Sequence, residues 1–202
     1  MSDGCEQEWV KRAKRGDRAA FDALLKALEP SIRRFVERLI GRSPATEDIL
    51  QDAFLSLYLN LDRLEPAENL RPFLYRIVRN RCYDEMRRNG RFRTAPLDDP
   101  NDPASPSAWL TDASPTPDAT VQRLLMMAEV QRAIDGLPEQ QRETLILFAE
   151  EGMSLQEVAE ATNVEIGTVK SRIFNARKNL TRRITPATRA ALGIGKENEY
   201  GE

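Results

Sequence analysis

The chain has 202 residues, 41% of them apolar and 31% charged, enough to build one large domain or two small ones and too apolar for a disordered polymer. Cys5 and Cys82 are its only cysteines and it has no histidine, so neither a disulfide framework nor a zinc site is expected. The acidic start Met-Ser-Asp-Gly-Cys-Glu holds no secretory core, and apolar runs such as Thr144-Leu-Ile-Leu-Phe-Ala149 are too short for a bilayer, so a reduced, cytoplasmic protein without membrane insertion is expected.

The formal charge of −2 hides a strong segregation. Ala45 to Glu68 holds six acidic residues against Arg63, whereas Arg71 to Arg93 holds eight arginines against Asp84 and Glu85. Blocks of opposite sign imply two partners, or one complex that displays both signs.

In chain order, the first predicted helix covers Asp17 to Leu28, with Phe21, Leu24, Leu25 and Leu28 on one stripe, and ends at Pro30. A second covers Ser31 to Ile40, with Ile32, Phe35, Val36 and Leu39 inward, and ends at Gly41. Thr46 to Leu61 repeats the pattern through Ile49, Ala53, Leu57 and Leu61. After a loop with Pro66 and Asn69, Leu70 to Arg88 forms a long helix with Pro72 in its first turn and Cys82 as a small buried hydrophobe.

Thr94 to Thr120 then breaks the pattern. These 27 residues hold six of the twelve prolines, five aspartates and no basic residue. Such a segment reads as an extended acidic linker, with Trp109 and Leu110 its only bulky apolar pair. Beyond it, Val121 to Ile134 is a helix with Leu124, Leu125 and Ala128 inward, and Pro138 opens another, carrying Leu145, Leu147 and Phe148, that stops at Gly152.

Gly152 to Ile184 is the most informative stretch. Ser154 and Glu157 have the spacing of a capping box ahead of a short helix. The next helix places Val169, Ile173, Ala176, Leu180 and Ile184 on one stripe and Gly167, Thr168, Ser171, Phe174, Asn175 and Lys178 opposite. From Ile166 to Arg189 there are seven Lys or Arg and no acidic residue. A merely solvated face normally mixes both signs, so this layout predicts a helix-turn-helix reader of duplex DNA. The reading is all-α: two small helical bundles, residues 1–93 and 121–185, joined by a flexible linker over 94–120 and followed by a polar tail over 186–202.

Four stretches in this order resemble the extracytoplasmic-function class of bacterial RNA polymerase sigma factors: Glu47-Asp-Ile-Leu-Gln-Asp-Ala-Phe54, Leu74-Tyr-Arg-Ile-Val-Arg-Asn80, Leu137-Pro-Glu-Gln-Gln-Arg142 and Gly167-Thr-Val-Lys-Ser-Arg172. The resemblance runs from about Trp9 to Ile184. It implies a transcription initiation factor that binds core RNA polymerase and directs it to promoters, with no cofactor and no small-molecule substrate. Asp48, Gln51, Asp52 and Leu55 match the positions that dock on the coiled coil of the β′ subunit. Phe73, Arg76, Arg79, Asn80 and Arg81 match the helix that, with the loop from Leu64 to Leu70, holds a flipped base of the single-stranded −10 element; many relatives carry tryptophan at the place of Phe73. Arg142, Thr168, Lys170, Ser171, Arg172, Phe174 and Asn175 match the surface that meets the −35 duplex; many relatives carry arginine at the place of Asn175. The resemblance also implies a path for the linker through the polymerase active-site channel and an anti-sigma factor as a further partner.

Two other classes compete with this reading. A free-standing helix-turn-helix regulator shares the second domain but needs no arginine-rich single-strand site, and usually shows a dimer seam that is not evident here. An enzyme is disfavoured because the chain has no histidine, no phosphate-cradling glycine loop and no nucleophile–base pair.

Overall fold

The computed structural model describes residues 3–64, 70–90 and 119–192. Every regular element among them is helical: α1 (Asp3–Lys14), α2 (Arg18–Ile40), α3 (Ala45–Asn60), α4 (Leu70–Arg88), α5 (Ala119–Asp135), α6 (Glu139–Leu145), α7 (Leu155–Thr162), α8 (Ile166–Arg183) and α9 (Pro186–Ala191). A 3-10 turn (Leu61–Arg63) follows α3, and a π-helical turn (Ile146–Glu150) extends α6. The helical regions are thus separated in sequence by residues 91–118. That stretch, with Trp109 and Leu110, lies outside the described residues, as do the loop Glu65 to Asn69 and the last ten residues of the tail.

The two helices expected on either side of Pro30 are one. Asp17 caps the N-terminus of α2 by accepting from the Ala20 N–H, and the helix runs unbroken to Ile40. Pro30 is tolerated because it lies on the solvent face, where the carbonyl that loses its partner can meet water. On the opposite face Leu24, Leu28, Ile32, Phe35, Val36 and Leu39 form one buried stripe across the proline, and their shared burial favours a continuous helix. The chain then turns at Gly41, whose φ of 76° suits a residue without Cβ.

α1 was not anticipated. Val10 is its one fully buried apolar anchor, and the largely buried Glu6 receives a two-pronged hydrogen bond from Arg71 of α4 at 3.0 and 2.7 Å. Trp9 and Ala13 pack against the same core, and Lys14 donates to the Leu64 carbonyl.

By internal contacts the chain divides into two units, residues 1–92 with 139–176, and residues 93–138 with 177–202. In the first unit α4 packs on α2, α3 and α7, and the apolar cluster runs from Leu24, Phe35 and Leu74 to Ile146, Leu147, Val158 and Val169. Hydrophobic burial has no regard for sequence distance, so α6, α7 and the first half of α8 share a core with α2 and α4. Cys82 is completely buried there, and burial pushes its thiol up to about 12.

The second unit shows one clear departure from expectation. Leu124, Leu125 and Met127 of α5 are exposed, not inward; the helix buries Ala133, followed by Leu137 just beyond its end. α5 holds α9 through polar contacts: Glu129 accepts from the Thr185 N–H and from the Thr188 hydroxyl. The first residues of the expected tail are therefore a short helix, with Thr185 as its cap and Pro186 in its first turn.

The capping box of α7 is present in full. The Glu157 N–H donates to Ser154 Oγ and the Ser154 N–H donates to Glu157 Oε2. Ser154→Ala should lower stability by about 1 kcal/mol in urea denaturation, because one N-terminal N–H of α7 loses its acceptor. Thiol titration should separate the cysteines: Cys5, exposed on α1, reacts at once at neutral pH, whereas Cys82 reacts only after denaturant is added.

Candidate nucleic-acid interface

Three helical faces carry the residues singled out from the sequence. On α3 the apolar positions Ile49, Leu50, Ala53 and Leu57 are buried, so 3.6-residue geometry turns Asp48, Gln51, Asp52 and Leu55 outward, and all four are exposed. The patch continues further than the sequence suggested: Tyr58 and Leu59 are also exposed, Leu59 at 70%. Glu47 stands apart from this face, because Arg33 of α2 donates to its carboxylate and holds it below the usual range. An acidic rim beside an apolar strip makes a surface suited to a partner that is basic and partly apolar.

α4 presents two different sides. Arg76 and Asn80, one turn apart, face solvent with Arg81 beside them, and Arg76 lies over the half-buried Phe73 ring at 5.8 Å. Arg81 makes a surface ion pair with Asp52 of α3 at 3.4 Å. Tyr75 is a core residue: its ring packs edge-on against Phe35 and its hydroxyl donates to Glu151 at 2.6 Å. Arg79 and Tyr83 flank this face, within about a turn of Arg76 and Asn80, and both turn towards α6.

On α8 the buried stripe is Val169, Ile173 and Ala176, with Leu180 partly covered and Ile184 buried after the helix ends. α7 ends at Asn163 in the left-handed conformation (φ 55°), which lets the chain reverse within three residues before α8 begins. Lys170, Ser171 and Phe174 consequently project into solvent, with Thr168 and Asn175 half-exposed at their flanks. Phe174 is 66% exposed and touches no apolar core. No carboxylate lies on α8 itself, so its open face is a cationic surface with a central aromatic ring.

Arg142 and Arg172 are not on that open face. Arg142 donates to the Leu39 carbonyl at the end of α2 (3.0 Å), and Arg172 donates to Gln140 at 2.7 Å. Both are engaged within the first unit, as is Arg79. The residue that gathers two of these cations, Glu143, escaped the sequence reading. It sits on α6 with no exposed surface, accepting from Arg79 Nε at 2.8 Å and from the Tyr83 hydroxyl at 2.7 Å, with Arg172 Nη1 at 3.8 Å. Burial pushes its carboxyl up, against the pull of Arg79 and Tyr83. The one available signal was an acid on the inward side of a short helix, among Leu145, Ile146 and Leu147.

Among the described residues there is no group of three or more side chains able to hold a metal ion, and no helix long and apolar enough to cross a membrane.

Burial separates the contributions of two neighbours on α8. Ile173→Ala should cost about 2–5 kcal/mol in chemical denaturation, since it empties a buried site. Phe174→Ala should change stability by less than about 0.5 kcal/mol, as an exposed ring with no packing role.

Comparison with known proteins places the chain in context. Residues 24–92 match the family described as Sigma-70 region 2, and residues 127–180 match Sigma-70, region 4. The ECF RNA polymerase sigma factor SigM of Mycobacterium tuberculosis is 34% identical over 167 residues, which cover 83% of this chain and 78% of that protein. The RNA polymerase sigma-H factor of Pseudomonas aeruginosa is 29% identical over 92% of this chain and 97% of its own length. Among solved structures, CnrH in complex with the cytosolic domain of CnrY has the same fold (TM-score 0.61, 22% identity, 95% of this chain and 99% of that one). The sigma factor RpoE of Bartonella quintana, solved with the anti-sigma factor NepR, matches with a TM-score of 0.56 at 26% identity, over 87% of this chain and 98% of that one.

Proposed function

The chain belongs to the extracytoplasmic-function RNA polymerase sigma factors, and from that membership we propose which of its surfaces meets which partner. Its function is transcription initiation through RNA polymerase, not catalysis. Core polymerase docks on the α3 face formed by Asp48, Gln51, Asp52 and Leu55, with Tyr58 and Leu59 extending the contact. The support is chemical: the face carries acids, an amide and exposed apolar side chains side by side, which a basic β′ coiled coil with an apolar seam would cover.

Promoter DNA meets two cationic surfaces. Asn80, flanked by Arg76 and Arg81 and near Phe73, reads one unstacked base of the −10 strand, because an amide both donates and accepts at a base edge. α7 and α8 act as a helix-turn-helix that sets Lys170, Ser171, Phe174 and Asn175 in the −35 major groove, with Thr168 at the edge. The exposure of Phe174 carries this reading: an uncovered aromatic ring amid basic side chains is costly in water and is accounted for by contact with a thymine methyl. Asn175 favours adenine, where an arginine would favour guanine. Arg79, Arg142 and Arg172 supply phosphate contacts when they are free of their internal partners. An anti-sigma factor, such as the one solved with the Bartonella quintana relative, covers the exposed apolar strip of α3 in competition with polymerase.

Three variants separate these roles. Asp52→Lys should weaken binding to core polymerase with an unchanged circular dichroism spectrum; equal affinity would remove the α3 assignment. Asn80→Ala should relax the −10 preference at a single position in a promoter library transcribed with core enzyme. Ser171→Ala combined with Asn175→Ala should lose about 1–3 kcal/mol per base contact on the preferred −35 sequence and little on others; uniform losses would assign those residues to the backbone instead.

A further inference from the structure

Arg79 and Arg172 stand more than ninety residues apart in the chain, yet both guanidinium groups point at one carboxylate. Glu143 Oε2 takes the Arg79 Nε proton at 2.8 Å and the Tyr83 hydroxyl at 2.7 Å, while the Arg79 guanidinium lies over the Tyr83 ring at 4.6 Å. The other oxygen, Oε1, faces Arg172 Nη1 at 3.8 Å, and neither of these two buried atoms has a hydrogen bond. The same seam is reinforced where Arg38 of α2 pairs with Glu150, where Arg142 reaches the Leu39 carbonyl, and where Tyr75 donates to Glu151.

This arrangement has the chemistry of a phosphate site filled from within. A carboxylate offers two anionic oxygens in the geometry by which arginine also grips a phosphate. A buried ion pair adds little net stability, because removing both charges from water costs several kcal/mol, and here one oxygen is left poorly served. The ion pair is therefore specific in its partners but modest in strength, and it sets how readily Arg79 and Arg172 part from Glu143 beside the shared apolar core.

We propose that Glu143 is an internal phosphate surrogate, which closes α6 against α4 and withholds Arg79 and Arg172 from nucleic acid until the seam opens. Closure and DNA binding then compete for the same guanidinium groups. The inference rests on the reading of those arginines as DNA contacts, and its test is chosen so that each half can fail alone.

The test uses the full-length chain in three single variants. Tyr83→Phe removes one hydrogen bond to Glu143 and alters no charge. Glu143→Gln removes the anion isosterically. Glu8→Gln removes an equal charge from an exposed position on α1 and serves as the control. Small-angle scattering reads opening, and fluorescence anisotropy with a labelled random-sequence duplex at low salt reads DNA affinity, each on protein with unchanged circular dichroism. If the open form is about one-tenth populated, full opening tightens apparent binding by about tenfold. The expected result is a larger radius of gyration and tighter duplex binding for Tyr83→Phe and Glu143→Gln, with Glu8→Gln like the parent. Unchanged scattering and unchanged affinity in both seam variants would overturn the proposal. So would equal gains in Glu143→Gln and Glu8→Gln, which would reflect net charge alone. An expanded chain with unaltered duplex affinity would also overturn it, and would count against Arg79 and Arg172 as DNA contacts while leaving the polymerase-docking face untouched.

Discussion

A carboxylate with no exposed surface is the point around which the first unit is arranged. Glu143 enters an apolar setting made by Leu145, Ile146 and Leu147, and its charge is tolerable there only because Arg79 and Tyr83 reach it from α4. Removing either partner would leave an anion without adequate compensation. The apolar cluster supplies the bulk of the stabilisation, but it is not directional; the ion pair and its hydroxyl fix which side of α4 meets α6. Arg76 and Asn80, next to Arg79 and Tyr83 along the same helix, stay in water at the edge of that contact.

The same division of labour recurs on α3 and α8. Each helix buries a narrow apolar stripe and exposes a face whose chemistry is unlike an ordinary solvated surface: acids with leucine and tyrosine on α3, cations with phenylalanine on α8. Apolar side chains left in water beside charges of one sign are a cost to the isolated protein, and binding recovers it. Opposite signs on the two faces fit a factor that must hold a protein machine with one surface and a polyanion with another. Membership of the sigma factors gives that pairing its biological sense.

Regulation has a natural foothold in this design. The residues able to hold phosphate are held by the protein's own carboxylate, and the α3 face is left open. On the proposed assignments, such a factor would engage polymerase before DNA, because the α3 face is exposed while Arg79 and Arg172 are drawn to Glu143. Stray duplex in the cell would then be a weak competitor for it.

Most helices were legible in the sequence because their apolar residues repeat at helical spacing and their ends carry recognisable signals: the Ser154–Glu157 box and the limits of α4. The exposed sets on α3 and α8 were legible for the same reason, since periodicity that names the buried stripe also names its opposite. What sequence could not decide was anything that depended on which distant surfaces meet. Pro30 read as a helix end, and only the stripe continuing across it into a shared core kept α2 whole. Leu124 and Leu125 read as core, but no facing element covers them among the described residues. Arg79, Arg142 and Arg172 read as free cations, and their internal partners lie between 32 and 103 residues away. Local pattern determines an element and its two faces, because both follow from rotation per residue. The partner of each face is set by burial and charge pairing across long loops, where periodicity carries no information.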